Sequence, residues 1–283
     1  MHSELIARIH QARRGGTPLV MGVVNVTPDS FSDGGRFLEV DRALEHALAL
    51  AGQGAHLLDI GGESTRPGAE PVAEDEELDR VIPVIERIVA ETRVPVSIDT
   101  AKPGVMRQAV AAGAAMINDV RALRAEGAIE AVAALDVPVC LMHMLGEPRN
   151  MQDNPQYDDV VGDIRDFLRG RVAACEAGGI GRERIVLDPG FGFGKTLAHN
   201  LELLARLDEL AEEGLPLLAG LSRKRLLGTI TGRERPDERV AASVAAHLLA
   251  AQKGASIVRV HDVAETVDAL KVWQAVRDAS NSR

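Results

Sequence analysis

The chain has 283 residues, 46% hydrophobic and 26% charged, which is enough to bury one large α/β core and too evenly mixed for a disordered or fibrous protein. Its net charge of -10 argues against a nucleic-acid-binding surface, so any anion it holds must be met by a local cluster of cations. With only two cysteines, no CxxC spacing and no stretch near the roughly 18 apolar residues of a membrane span, a cytoplasmic protein with neither nucleic-acid nor membrane partner is expected.

Residues 1–18 carry scattered charge and no apolar h-region, and read as an N-terminal extension to one domain spanning 19–283. From Leu19 onward, short β-branched runs alternate with Ala-, Leu- and Glu-rich helical patterns. A strand over Leu19–Val26 precedes a helix over Asp41–Gln53, and a strand over His56–Ile60 precedes a helix over Glu74–Glu91 that Pro83 should kink or shorten. A strand over Pro95–Thr100 leads to a helix over Pro103–Ala112, with Pro103 in the first turn, where its missing N–H costs nothing. The remaining pairs are Ala115–Val120 with Gly127–Leu135, Pro138–Met144 with Val160–Ala177, Ile185–Pro189 with Leu197–Glu213, Pro216–Ser222 with Asp237–Gln252, and Ser256–His261 with Val263–Arg277. Gly54, Gly113, Gly178, Gly214 and Gly254 stand where left-handed helix C-caps belong. Eight units without a compositional break predict a single-domain (βα)8 TIM barrel, with a doubly wound open sheet as the alternative.

A barrel enzyme keeps its chemistry at the C-terminal ends of its strands, and here every strand end is polar: Asn25, Asp59, Asp99, Asn118, His143, Asp188, Ser222 with Lys224, and Arg259 with His261. A single such residue is usually a cap, but eight in a row are not explained by capping alone. Carboxylates gathered at one mouth are costly unless a ligand offers them N–H donors, and Lys224, Arg259, His261 and Arg66 at the same rim supply positive charge for an anion. A heterocycle with a phosphate tail has both properties. The glycine-rich loops after the first and sixth strands match neither GxGxxG nor the P-loop, yet Phe31, Phe191 and Phe193 sit in them within a chain of only 2% aromatics, which favours a stacking or enclosing role.

The run Asn25-Val26-Thr27-Pro28-Asp29-Ser30-Phe31-Ser32-Asp33-Gly34-Gly35 closely resembles the first signature of dihydropteroate synthases. In that family's order follow Gly61 to Gly68, Ser97 to Thr100, Ile117 to Asp119, Met142 to Met144, Asp188 to Lys195, Ser222 to Lys224 and Arg259 to Asp262. The resemblance covers the chain from about Met21 to the last helix. It implies that p-aminobenzoate is joined to 6-hydroxymethyl-7,8-dihydropterin diphosphate, with release of pyrophosphate, through a dissociative pterin methylene cation. Carried over motif by motif, Asp99, Asn118, Met142, Asp188, Phe193 and Lys224 hold the pterin, and Phe31, Thr65, Arg66, Pro67, Phe191 and Ser222 shape the aminobenzoate pocket. Asn25, Arg66, Arg259 and His261 hold the pyrophosphate, Asn25 through Mg²⁺, while Asp33 or Asp99 stabilises the cation. The catalytic set is thus Asp33, Asp99, Lys224, Arg259 and His261. The family also implies a homodimer, with the Ala-rich Val240–Ala251 as its candidate packing face, and inhibition by sulfonamides.

Several motif residues have plainer readings. Asp33 can cap the turn at Gly34-Gly35, and His143 is structural if strand parity turns it from the mouth. Lys195 and Asn200 read as organisers of their loop, and Glu63, Asp119, Arg223 and Asp262 as scaffold pairs or caps. A corrinoid-dependent methyltransferase barrel shares the pterin carboxylates but needs neither the Phe31–Gly35 loop nor the Ser222–Lys224 and Arg259–His261 runs. A catalytically silent paralogue would have lost the first-loop or anion residues, all of which are present.

Overall fold

The computed structural model describes residues 2–26, 36–66 and 68–281. Eight parallel strands close on themselves in sequence order: β1 (Leu19–Asn25), β2 (Leu57–Gly61), β3 (Val96–Asp99), β4 (Met116–Asp119), β5 (Val139–Met142), β6 (Ile185–Asp188), β7 (Leu217–Ala219) and β8 (Ala255–Val260), with β8 pairing back onto β1. The closed barrel is the expected TIM architecture and excludes the open sheet. Around it run α2 (Arg36–Gly52), α3 (Glu74–Glu91), α4 (Pro103–Ala111), α5 (Ala128–Ala133), α6 (Val160–Ala177), α7 (Leu197–Ala205), α8 (Leu207–Ala211), α9 (Arg225–Thr231), α10 (Val240–Gln252) and α11 (Val263–Asn281).

Alternation along the strands sorts side chains into two layers. Val20, Leu58, Ile98, Ile117, Leu141, Leu187 and Val258 face outward into the large core shared with the helices. Met21, Leu57, Met116, Cys140, Val186, Leu218 and Ile257 face inward and fill the lower barrel. Helix α1 (His2–Arg13) closes that lower end, because Leu5 and Ile9, each 1% exposed, pack with Ala12 onto the inward layer. Residues read as an extension therefore share the barrel's core, and each of those two side chains contributes about 1.5–3 kcal/mol by burial.

Helix α3 runs unbroken through Pro83, so the expected shortening does not occur; its apolar face, Val81, Val84, Ile85 and Ile88, is wholly buried and holds it in place. The long helix expected over Leu197–Glu213 is two, because Arg206 leaves helical geometry (φ -111°, ψ 22°) where its guanidinium gathers Asp159, Glu202 and Glu209. Four of the five expected left-handed glycines have positive φ; the fifth place falls one residue later, at Gly179 (φ +90°) rather than Gly178. Helix α9 was not foreseen, being only seven residues long.

Candidate active site

The alternation that puts Met21, Leu57, Met116, Cys140, Val186 and Ile257 in the lower barrel puts the residues two further along each strand in its upper mouth. On β2, β4, β5, β6 and β8 these are Asp59, Asn118, Met142, Asp188 and Arg259, and Asp99 of β3, paired in register with Asn118, joins them. Arg259 is the hub: its Nε donates to Asp59 Oδ2 (2.5 Å) and its Nη2 to Asp99 Oδ2 (2.7 Å). Asn118 Nδ2 donates to the same Asp59 oxygen at 3.1 Å. Asp59 is fully buried and its Oδ1 has no hydrogen-bond partner among the described residues, which leaves a buried acceptor unmet beside Arg259.

Burial pushes the Asp99 carboxyl up to about 8; Arg259 pulls it down, and the facing Asp59 pushes it up again. Burial also raises Asp188, against the pull of Lys224 and of the Gly190 N–H, which donates to its Oδ1 at 2.7 Å. Lys224 is pushed down to about 8 by burial, with Asp188 opposing. Two carboxyls that burial shifts toward the protonated form, beside two cations, make a site that can both accept and donate hydrogen bonds to a polar ring.

One wall is apolar. Val120, Met142, Met144 and Met151 form a buried cluster with Phe193 packed on it, and the Lys224 ammonium lies 4.6 Å from the Phe193 ring centre. The loop carrying Phe193 is fixed from below by Lys195, whose Nζ donates to the Gly190 and Phe193 carbonyls and meets His143 Nδ1 at 3.0 Å. Asn200 accepts from the Gly192 N–H and donates to the Lys195 and Thr196 carbonyls. Gly190 needs to be glycine: its φ is +68°, and a Cβ there would fall 1.9 Å from the His143 carbonyl oxygen. His143 itself faces the helices, edge-on to Phe167, and burial pushes it down to about 2. The architectural readings of His143, Lys195 and Asn200 hold.

The other wall is the turn after β7. Arg223 adopts a left-handed φ of 56°, costly for a residue with a Cβ. Three clasps hold it there: its guanidinium on Asp262, its N–H on Ser243 Oγ (2.9 Å) and its carbonyl on Arg239 Nη1 (2.8 Å). The turn presents Ser222 and Lys224 on either side. Ser222 Oγ accepts from the His261 N–H at 3.1 Å and lies 3.0 Å from His261 Nδ1. The hydroxyl still has a hydrogen and a second lone pair to offer Nδ1, and in the arrangement where it donates, the proton of a neutral ring resides on Nε2.

The Pterin binding enzyme family matches residues 21–261. A dihydropteroate synthase of Escherichia coli is 50% identical over 266 residues, covering 94% of this chain and 94% of its own. The Xanthomonas albilineans dihydropteroate synthase with 4-aminobenzoic acid superposes with a TM-score of 0.88 at 62% identity, covering 93% of this chain and 96% of that one. The same enzyme in complex with 7,8-dihydropteroate gives 0.84 at 61%, covering 92% and 94%. The chain belongs to the dihydropteroate synthase family.

Of the residues to which the dihydropteroate synthase resemblance gave a role, Asp99, Asn118, Met142, Asp188, Phe193, Ser222, Lys224, Arg259 and His261 come together at this mouth. Asn25 is half-buried at the end of β1, beside Gly61; Thr65 is half-buried and Arg66 exposed on the loop after β2. Phe31, Asp33 and Pro67 lie outside the described residues.

Two expectations need correction. Phe191 does not line the pocket: its ring is 0% exposed within the outer core, and only its carbonyl reaches the mouth, accepting from Lys224 Nζ. Nor does His261 supply positive charge, because burial, with Arg259 and Arg223 nearby, pushes it down to about 4 and leaves it neutral at pH 7. Asp59 was recognised as a polar strand end but given no role; its parity with Leu57, the inward residue two positions earlier, was the available signal.

Proposed function

We propose that this chain condenses p-aminobenzoate with 6-hydroxymethyl-7,8-dihydropterin diphosphate, giving 7,8-dihydropteroate and pyrophosphate for folate synthesis. The observation that carries the reading is the pairing, in one barrel mouth, of the buried acids Asp99 and Asp188 with the cations Arg259 and Lys224. The acids and Asn118 match the amino and ring N–H groups of a pterin, and Met142 and Phe193 offer the ring its apolar contact. Arg259 suits the diphosphate, and so does a neutral His261 that takes its Nδ1 hydrogen bond from Ser222 and donates from Nε2, without a charge of its own. Thr65, Arg66 and Ser222, with Phe193, then border the aminobenzoate, whose carboxylate Arg66 attracts.

In this mechanism the C–O bond to the diphosphate breaks first, and the bonding pair leaves with pyrophosphate. The methylene cation is attacked by the aniline nitrogen, which then releases its proton. The aniline is a weak nucleophile, so the dominant requirement is stabilisation of charge. The ionised form of Asp99 serves the cation, and Arg259 serves the departing phosphate. Among the described residues no three His, Cys, Asp or Glu side chains form a metal-binding group. A single oxygen donor from Asn25 fits Mg²⁺ all the same, because that ion keeps water and substrate phosphate oxygens as its other ligands. When bound there, Mg²⁺ would neutralise charge on the diphosphate.

We further assign the enzyme to the cytoplasm as a homodimer. The buried free thiols of Cys140 and Cys175 support a reducing compartment, and no described helix is long and apolar enough to cross a membrane. Leu249 on α10, with Val272 and Val276 on α11, forms an exposed apolar set that supports pairing, to be tested by sedimentation.

The decisive assay incubates purified protein with the dihydropterin diphosphate, p-aminobenzoate and Mg²⁺, and follows both products for wild type, Lys224→Ala and Asp99→Asn. Stoichiometric dihydropteroate and pyrophosphate from wild type, lost in both variants, is the expected result. Pterin binding without pyrophosphate release would mark a silent paralogue.

A further inference from the structure

Beneath the loop that follows β2 lies a charged cluster with no part in the chemistry above. Lys102, in the loop between β3 and α4, bonds Glu63 of that loop and Glu77 of α3 at once. Glu77 is fully buried, and burial pushes its carboxyl up while Lys102 pulls it back. Arg80, one turn along α3, donates to the Gly62 carbonyl at 2.7 Å. Gly62 leaves no slack: a Cβ there would lie 2.7 Å from Val81 Cγ1 and 3.0 Å from Glu77 Cγ. The start of the loop is therefore pressed onto α3 and tied by charge.

Its far end is tied elsewhere. The Gly68 N–H donates to the Pro148 carbonyl at 3.1 Å, and Glu70 pairs with Arg149, both on the loop after β5. Between these anchors Ser64, Thr65 and Arg66 make only local hydrogen bonds among the described residues, Arg66 N–H to Ser64 Oγ at 3.4 Å and Ala69 N–H to the Arg66 carbonyl at 3.0 Å, and Arg66 is exposed. The exposed pair Arg149–Glu70 holds little, whereas Lys102–Glu63 is three-quarters shielded and shares its cation with a buried acid. Only Ser64 separates Glu63 from Thr65.

We infer that Lys102 is a positioning residue for the aminobenzoate half of the site, acting through Glu63 to set where Thr65 and Arg66 stand. This rests on the proposed synthase reaction and adds to it. Lys102 follows Asp99 by three residues, so one short segment places an acid of the pterin pocket on the barrel strand and the tether of the other substrate's loop on the barrel rim. The division of labour makes the inference testable, because loosening the tether changes the second substrate's site and leaves Asp99, Asn118 and Asp188 untouched.

The variant of choice is Glu63→Ala, which keeps the Lys102–Glu77 pair and hence the fold. With Lys102→Arg as the conservative partner, KM for p-aminobenzoate, KM for the dihydropterin diphosphate and kcat are measured, together with dihydropterin diphosphate binding by calorimetry and Tm. Glu63→Ala is expected to raise the aminobenzoate KM about tenfold, the order expected when an oriented group is released. Pterin diphosphate affinity should stay within about twofold, and Lys102→Arg should retain most of the wild-type aminobenzoate KM. An unchanged aminobenzoate KM in Glu63→Ala, or an equal loss of pterin affinity and Tm, overturns the inference while the synthase reading stands. A wild type that forms no dihydropteroate overturns both.

Discussion

Replacing Arg259 with Met removes the one guanidinium that bridges Asp59 and Asp99, and leaves two buried carboxyls facing each other. Breaking a buried pair by deleting one partner costs about 3–5 kcal/mol. The Arg259 side chain is 23% exposed, so some solvent screening applies and the lower end, about 3 kcal/mol, is the better expectation. The cost should also depend on pH. Asp99 is held up at about 8, so between about pH 4 and 8 the native state keeps a proton that the unfolded chain releases. Its contribution is full below pH 4 and is lost as pH rises to about 8, after which wild-type stability no longer falls on its account. Without Arg259, the charge that pulls it down, the Asp99 carboxyl rises further and the decline continues past pH 8. Urea unfolding of wild type and Arg259→Met at pH 6 and pH 9 should therefore give a deficit that widens at pH 9. Adding Asp59→Asn, which removes one of the facing acids, should recover at least about 1 kcal/mol. A deficit below about 1 kcal/mol, or one that is equal or smaller at pH 9, would refute the reasoning.

Lys195→Met strips donors from the Gly190 and Phe193 carbonyls and should lower stability by about 2–4 kcal/mol and weaken pterin binding; an unchanged melting temperature contradicts the assigned role. Leu5→Ala, at a side chain 1% exposed against the lower barrel, should cost about 2–4 kcal/mol in urea unfolding. A cost under 0.5 kcal/mol, by the same reckoning, would make α1 an appendage. Chelation of Mg²⁺ should stop turnover reversibly, and Asn25→Ala should raise the Mg²⁺ concentration for half-maximal rate about tenfold. Turnover unaffected by chelator would remove the metal from the scheme.

Strand and helix positions were legible because hydrophobic period and glycine placement are local signals. Glu74–Glu91 and Val160–Ala177 begin and end where the sequence alone puts them. The mouth was legible for a related reason: a residue's place on a parallel strand determines which end of the barrel it reaches, so polar strand ends announce a site. Helix α1 was not legible, since Leu5 and Ile9 in a charged segment give a weak pattern until a barrel end exists to receive them.

The amino-acid sequence by itself determined the barrel, the identity of the polar residues at its mouth and, through motif order, the family. Tertiary structure alone decided how those residues pair, because contacts such as Arg259 with Asp59, 200 positions apart, depend on which strands become neighbours across the closed sheet. It also decided which of two phenylalanines in one loop reaches the mouth, and that His261 is neutral there. Both outcomes rest on burial, a property of the packed surroundings that no residue carries in its own identity.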